Sequence, residues 1–149
     1  MASSLRYGVE VRSAQAADAP ELARLLAQAG FPSTPAAAAD RLDAMRARPD
    51  CAVLVATGWT GLSGMVALHW APTLGHPRPV AHITTLVVDA DERRHGIGRM
   101  LLKAASQAAR VAGCDVMELV SGAGEAFCRA TGFTEGTAVF TRSLRRRSE

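Results

Sequence analysis

The spacing of hydrophobic positions changes along the chain, and each change of period marks an element. Val9 to Arg12 (VEVR) alternates and reads as a first strand. Asp18 then reads as the cap of a helix with Pro20 in its first turn, and Leu22, Leu25, Leu26 and Ala29 form one apolar face. Gly30 ends that helix and Phe31-Pro32 makes the turn. Ser33 or Thr34 caps a second helix that starts at Pro35, runs through Leu42 and Met45 and stops before Pro49. From Cys51 the pattern becomes a continuous apolar run. Cys51 to Thr57 is a buried strand, Gly58 to Gly61 a tight turn and Leu62 to Trp70 a second strand, together a hairpin. Ala71 to Pro79 (APTLGHPRP) is too proline-rich for either regular element.

The rest of the chain is organised around residues 82–110. His82 to Val88 reads as a buried strand, and Asp89 to His95, polar except for Ala90, as a solvated loop. Gly96-Ile97-Gly98 then opens a helix whose apolar residues, Met100, Leu101, Leu102, Ala104, Ala105, Ala108, Ala109 and Val111, recur at helical spacing. Gly113 caps its end. A strand over Val116 to Val120, a turn over Ser121 to Gly124, a short helix over Glu125 to Ala130 and a last strand or hairpin over Phe133 to Leu144 complete the reading. The order β-α-α-β-β-β-α-β-α-β predicts an α/β (α+β) fold, a mixed sheet with helices on both faces. Glycines and arginines at a helix N-terminus suit a phosphate-bearing ligand. Backbone N–H groups converge there, the helix dipole favours negative charge, and glycine admits close approach.

Length and composition narrow the class. With 149 residues, 48% of them hydrophobic, the expectation is one domain over residues 1–149, with a core at about 7–144 and a basic tail at 145–149. The apolar runs are too short to span a bilayer and the first residues, MASSLRYGVEVR, lack a signal-peptide core, so the expected location is cytoplasmic. Cys51, Cys114 and Cys128 form no CxxC pair and read as reduced thiols. Asp89, Asp91 and Glu92 lack histidine at ligand spacing, so no metal is expected. A net charge of +3 permits an anionic ligand, yet much of the excess sits in Arg142, Arg145, Arg146 and Arg147 at the C-terminus. Without aromatics interleaved among basic residues nucleic acid is not an expected partner, and the shortness of the apolar runs makes a membrane equally unexpected.

The glycine corner is not a P-loop, because GxxxxGK[ST] is absent, nor a dinucleotide-binding turn, because Leu101 stands where GxGxxG needs its third glycine. Arg93-Arg94-His95-Gly96-Ile97-Gly98 instead fits the [RQ]-x-x-G-x-[GA] signature of the GCN5-related N-acetyltransferases (GNAT), just after a strand ending Leu86-Val87-Val88. Ala126-Phe127-Cys128-Arg129-Ala130-Thr131-Gly132-Phe133 resembles the family's A-x-F-Y-x-x-x-G-F. The element order, with two helices between the first two strands, resembles the family as well.

This resemblance implies a mostly antiparallel central sheet that splays between its fourth and fifth strands, and acetyl-CoA as co-substrate. The pyrophosphate would lie on the amides of Arg94 to Arg99 (Arg94, His95, Gly96, Ile97, Gly98, Arg99), with Arg93, Arg94 or Arg99 adding charge. The pantetheine arm would pair with Leu86, Val87 and Val88 as an added strand. The N–H of Leu86 would donate to the thioester oxygen as it gains charge. His82 is the candidate general base, since the family commonly carries glutamate or histidine there and imidazole exchanges its proton near neutral pH. Period-2 alternation would place His82, Thr84 and Leu86 on one face. Cys128 stands where the family usually has the tyrosine that protonates the departing thiolate, so it is either a thiol acid or an inert cysteine. Phe31, Trp70 and Thr84 are the candidates for holding the acceptor, a small-molecule or peptide amine; the proline loop with His69 and His76 lies nearby in sequence. The alternative is a non-catalytic module that binds acetyl-CoA or CoA. A homodimer is left open.

Overall fold

The computed structural model describes residues 8–93, 95–119, 125–136 and 139–145. Its sheet is built from β1 (Glu10–Ser13), β2 (Cys51–Thr57), β3 (Leu62–Ala71), β4 (Val80–Val88) and β5 (Val116–Leu119). They lie side by side in chain order, antiparallel up to β4 and parallel between β4 and β5. Short connections favour the antiparallel pairs β2–β3 and β3–β4, β1 and β2 pair antiparallel across a connection that carries two helices, and the parallel step needs the crossover helix α3 (Ile97–Val111). The helix α4 (Glu125–Ala130) follows β5.

The two faces of the sheet carry separate cores. On one, α1 (Ala19–Gln28) and α2 (Pro35–Arg46) set Leu22, Leu25 and Leu42 against Val53, Val55, Met65 and Val87. On the other, α3 sets Ile97, Leu101, Leu102 and Ala105 against Leu54, Val66, Leu68, Ile83 and Leu86. Leu25, Leu68, Ile83 and Leu101 are fully buried. The expected mixed sheet with helices on both faces is therefore observed.

Several local expectations change. Thr34, rather than Ser33, caps α2 by accepting the Ala37 N–H at 3.1 Å. Asp18 precedes α1 but does not cap it with its side chain. Its carboxylate turns back to accept from both guanidinium nitrogens of Arg12, at 2.7 and 2.9 Å, and from the Gln15 N–H. A charge-assisted two-pronged bond outcompetes a single backbone cap. It holds the Asp18 carboxyl below its ordinary range and the Arg12 guanidinium above its own. β4 begins at Val80, two residues before His82, because Ala71 and Trp70 of β3 offer Val80 and Ala81 a partner. Val111, at the end of the apolar pattern of α3, is exposed because the helix has run past the sheet.

The last strand expected over Phe133 to Leu144 is absent from the described residues. Positions 133–136 and 139–145 carry no regular structure, and Val139, Phe140 and Leu144 are exposed. β-Propensity yields a strand only where an edge pairs with it. Val120 and the turn expected over Ser121 to Gly124 lie outside the described residues, as does Arg94.

Candidate functional site

β4 is paired along its whole length on the β3 side but only in part on the other. β5 runs beside it from Val80 to Ile83, opposite Val116 to Leu119, and among the described residues no strand continues beside Thr84 to Val88. Among the described residues the outer edge of Leu86, Val87 and Val88 therefore has no strand beside it, and an extended ligand laid there would add main-chain hydrogen bonds.

The open edge leads directly to the glycine corner. Asp89 is buried and fixes the turn after β4. Its N–H reaches Ser63, and its carboxylate accepts the Asp91 N–H at 3.0 Å and Arg24 of α1 at 2.6 Å. Chiefly the Asp91 amide, with help from Arg24 and against its burial, holds the Asp89 carboxyl below the usual range. Gln28 adds a second tie by accepting the Ala90 N–H. Gly96 then takes the left-handed conformation, φ +76°, that starts α3, and open space lies where a side chain on it would project. No side chain caps α3 among the described residues. Gly98 is buried, and a methyl group on it would stand 3.0 Å from the ring of Phe127, which packs across the first turn. Arg93, His95 and Arg99 are exposed around the corner, with His95 3.3 Å from Glu92. An uncapped N-terminus ringed by two described arginines fits a diphosphate.

One residue too many in β4 decides where its side chains point. Ala67 of β3 faces Thr85 and Leu68 faces Ile83, so Thr84 is a bulge. The alternation expected over His82, Thr84 and Leu86 breaks there. Ile83 and Leu86 both join the core under α3, while Thr84 and Thr85 both line a cavity under α1 and α2. The side chain of Leu86 therefore lies across the sheet from His82, although its N–H lies on the open edge whichever way the side chain turns.

That cavity, about 520 Å³, lies between α1, α2 and the sheet. Leu22, Leu26, Leu42, Met45, Val53 and Met65 make its apolar wall, Phe31 and Pro32 stand at the α1–α2 turn, and Arg41 is the only charged residue among the described residues lining it. Phe31 and Thr84 both line this cavity. Trp70 does not join them, because it faces the α3 side with Ala81. The proline loop is pinned at the far end of β4, where His76 lies 3.3 Å from Asp115.

Beside the bulge, register aligns Cys51, His69, His82 and Glu118 across four strands. The rings of His69 and His82 stack 5.2 Å apart, and His82 Nδ1 lies 3.1 Å from a Glu118 carboxylate oxygen. Glu118 was not legible as a site residue in VMELV, because its partner stands 36 positions earlier and only strand pairing brings them together. Cys51 and Cys114 are thiols whose pKa values burial pushes up, which suits inert positions. Cys128 sits half-buried on α4, next in sequence to the Phe127 that covers Gly98. Among the described residues, no group of three or more His, Cys, Asp or Glu could hold a metal ion, and no helix is long and apolar enough to cross a membrane.

Comparison with known proteins places this geometry. The profile described as the acetyltransferase (GNAT) family matches residues 19–133. Curated protein sequences give no match. Among solved structures the chain is similar to an acetyltransferase from Trypanosoma brucei, at 26% identity and a TM-score of 0.76 over 91% of this chain and 99% of that one. It has the fold of glucosamine-6-phosphate N-acetyltransferase from Arabidopsis thaliana (16% identity, TM-score 0.79, 92% and 99% covered). It shares that fold with an aminoglycoside antibiotic 6′-N-acetyltransferase from Acinetobacter haemolyticus (19% identity, TM-score 0.74, 92% and 99% covered).

Proposed function

The chain belongs to the acetyltransferase (GNAT) family, and from that premise we propose that it moves an acetyl group from acetyl-CoA to a primary amine of a small molecule or peptide, by direct attack in a ternary complex. One observation carries the reading: the open edge of β4 and the apolar cavity under α1 and α2 meet at the Thr84 bulge. A donor laid along the edge and an amine held in the cavity would converge on the same two or three residues of β4.

The residues present fit the donor. The corner at Gly96 and Gly98 would receive the diphosphate with Arg93 and Arg99 beside it, and Leu86 to Val88 would pair with the pantetheine arm. When bound, acetyl-CoA supplies a thioester, whose carbonyl carbon forms the new C–N bond as the C–S bond breaks and sulfur takes the last proton lost by nitrogen. The Leu86 N–H is the donor for the carbonyl oxygen. His82 takes the first proton, from the ammonium form of the acceptor. Glu118 at Nδ1 favours the tautomer that keeps the lone pair on Nε2, so that one ring nitrogen is anchored and the other is free to accept.

Turnover measured as free CoA thiol tests this. His82→Ala should lower kcat about 100-fold while the KM for acetyl-CoA stays unchanged. Unchanged kcat removes His82 from the mechanism. Tight acetyl-CoA binding without transfer to any amine of a broad panel would replace the enzyme with the binding module.

A further inference from the structure

The acceptor cavity has a chemistry of its own. Among the described residues its wall is almost wholly aliphatic, its two hydroxyls come from Thr84 and Thr85 at the bulge, and its single charge is positive. Arg41 has one hydrogen bond, to Ser33 Oγ at 3.2 Å, and enters no ion pair among the described residues. Arg24, by contrast, binds Glu21 and Asp89, and Arg12 binds Asp18. Arg41 is therefore a guanidinium at the rim of an apolar chamber with its capacity for a carboxylate unspent.

Resting on the transferase reading, we propose that the acceptor is an amine with an apolar body and one carboxylate, the class of the apolar amino acids, and not a polycation. The volume, about 520 Å³, falls in the range of small-molecule sites and admits a side chain as large as phenylalanine. The aliphatic wall accepts the apolar body. Arg41 takes the carboxylate in a two-pronged bond. The amine, close to the carboxylate in such a molecule, is directed to the threonine end, where the open edge of β4 lies. A second positive charge would meet Arg41 and an apolar wall with, among the described residues, no carboxylate lining it to offset the loss of water. Burial beside that wall also favours the neutral form of the one amine present, which is the form that attacks.

The test compares L-phenylalanine, 2-phenylethylamine (the same body without the carboxylate) and spermidine, on the wild-type chain and on Arg41→Ala and Arg41→Lys. The expected kcat/KM for L-phenylalanine exceeds that for 2-phenylethylamine by about tenfold or more, as one charge-assisted bidentate contact predicts. Arg41→Ala erases the difference and Arg41→Lys keeps part of it, while acetyl-CoA binding measured by calorimetry stays the same. Calorimetric titration of L-phenylalanine into the CoA-saturated protein gives a readout independent of turnover. Acetylation of spermidine in preference to L-phenylalanine, or an Arg41→Ala effect equal for both phenyl amines, overturns the proposal and leaves the transferase reading intact. Binding of L-phenylalanine that depends on Arg41, with no transfer to any amine, upholds the cavity chemistry and sinks the transferase reading instead.

Discussion

The glycine corner proposed for the donor and the apolar cavity proposed for the acceptor stand at opposite ends of a contrast in how a site is made. The corner is backbone: a left-handed glycine, the amides of a first helical turn and the main-chain edge of β4. The cavity is side chain: leucines, methionines and valines from two helices and two strands, and one arginine. A backbone site must forbid side chains, so it leaves glycines at set spacing. A side-chain site can be built from many apolar combinations, so it leaves no signature of its own. The corner should thus fail abruptly under mutation and the cavity should change by degrees.

The sharpest way to break that contrast is Gly98→Val. A side chain here drives into the Phe127 ring that packs across the first turn of α3. Acetyl-CoA affinity should fall about 100-fold, equivalent to about 2.7 kcal/mol, and the rise in Tm on adding acetyl-CoA should vanish. The Tm of the ligand-free variant separates this loss from unfolding, and normal affinity would show that the corner does not hold the donor. A graded response is expected from Ala67→Leu, which fills part of the cavity floor from β3. The KM for the acceptor should rise about tenfold with the KM for acetyl-CoA unchanged. If both constants move together, the two regions are not separate sites.

The smallest effect concerns the clamp between them. Asp89→Asn removes the charge that α1 holds through Arg24. Because Arg24 is 39% exposed, solvent screens the pair, and the loss at pH 7 should be about 1 kcal/mol. The Asp89 carboxyl titrates lower in the folded chain than in the unfolded one. Its contribution is therefore complete above the unfolded value of about 3.9 and is lost as pH falls through the lower folded value. Urea unfolding of the wild type and Asp89→Asn should differ at pH 7 and converge in strong acid. A gap that persists there would make the contribution one of packing alone.

The same contrast governs what could be read beforehand. Gly30, Thr34, Gly96 and Gly113 announce their elements because capping and positive φ are local demands. Cys51 to Thr57 announces itself because a buried strand must be apolar throughout. The pairing of Glu118 with His82 depends on strand register, which no local rule supplies. Arg41 reads as an ordinary solvated helix residue until α1 and the sheet enclose the space beside it. Periodicity also had nothing to say about Thr84, since a bulge is a property of the pair of strands and not of either one. For the same reason VFTRSL resembles a strand while its described residues form none.

The bulge has one more effect. It shifts β4 by half a repeat, so the strand reads in one phase up to Ile83 and in the opposite phase from Leu86. A single strand can thereby show two successive threonines to the chamber under α1 and α2, then hand Leu86 to the helix on the far side without a turn between them. Removing Thr84 would let β4 alternate without interruption and leave Thr85, Leu86, Val87 and Val88 facing the layers they face now, whereas keeping Thr84 but pulling the bulge flat would turn every side chain beyond it toward the wrong layer.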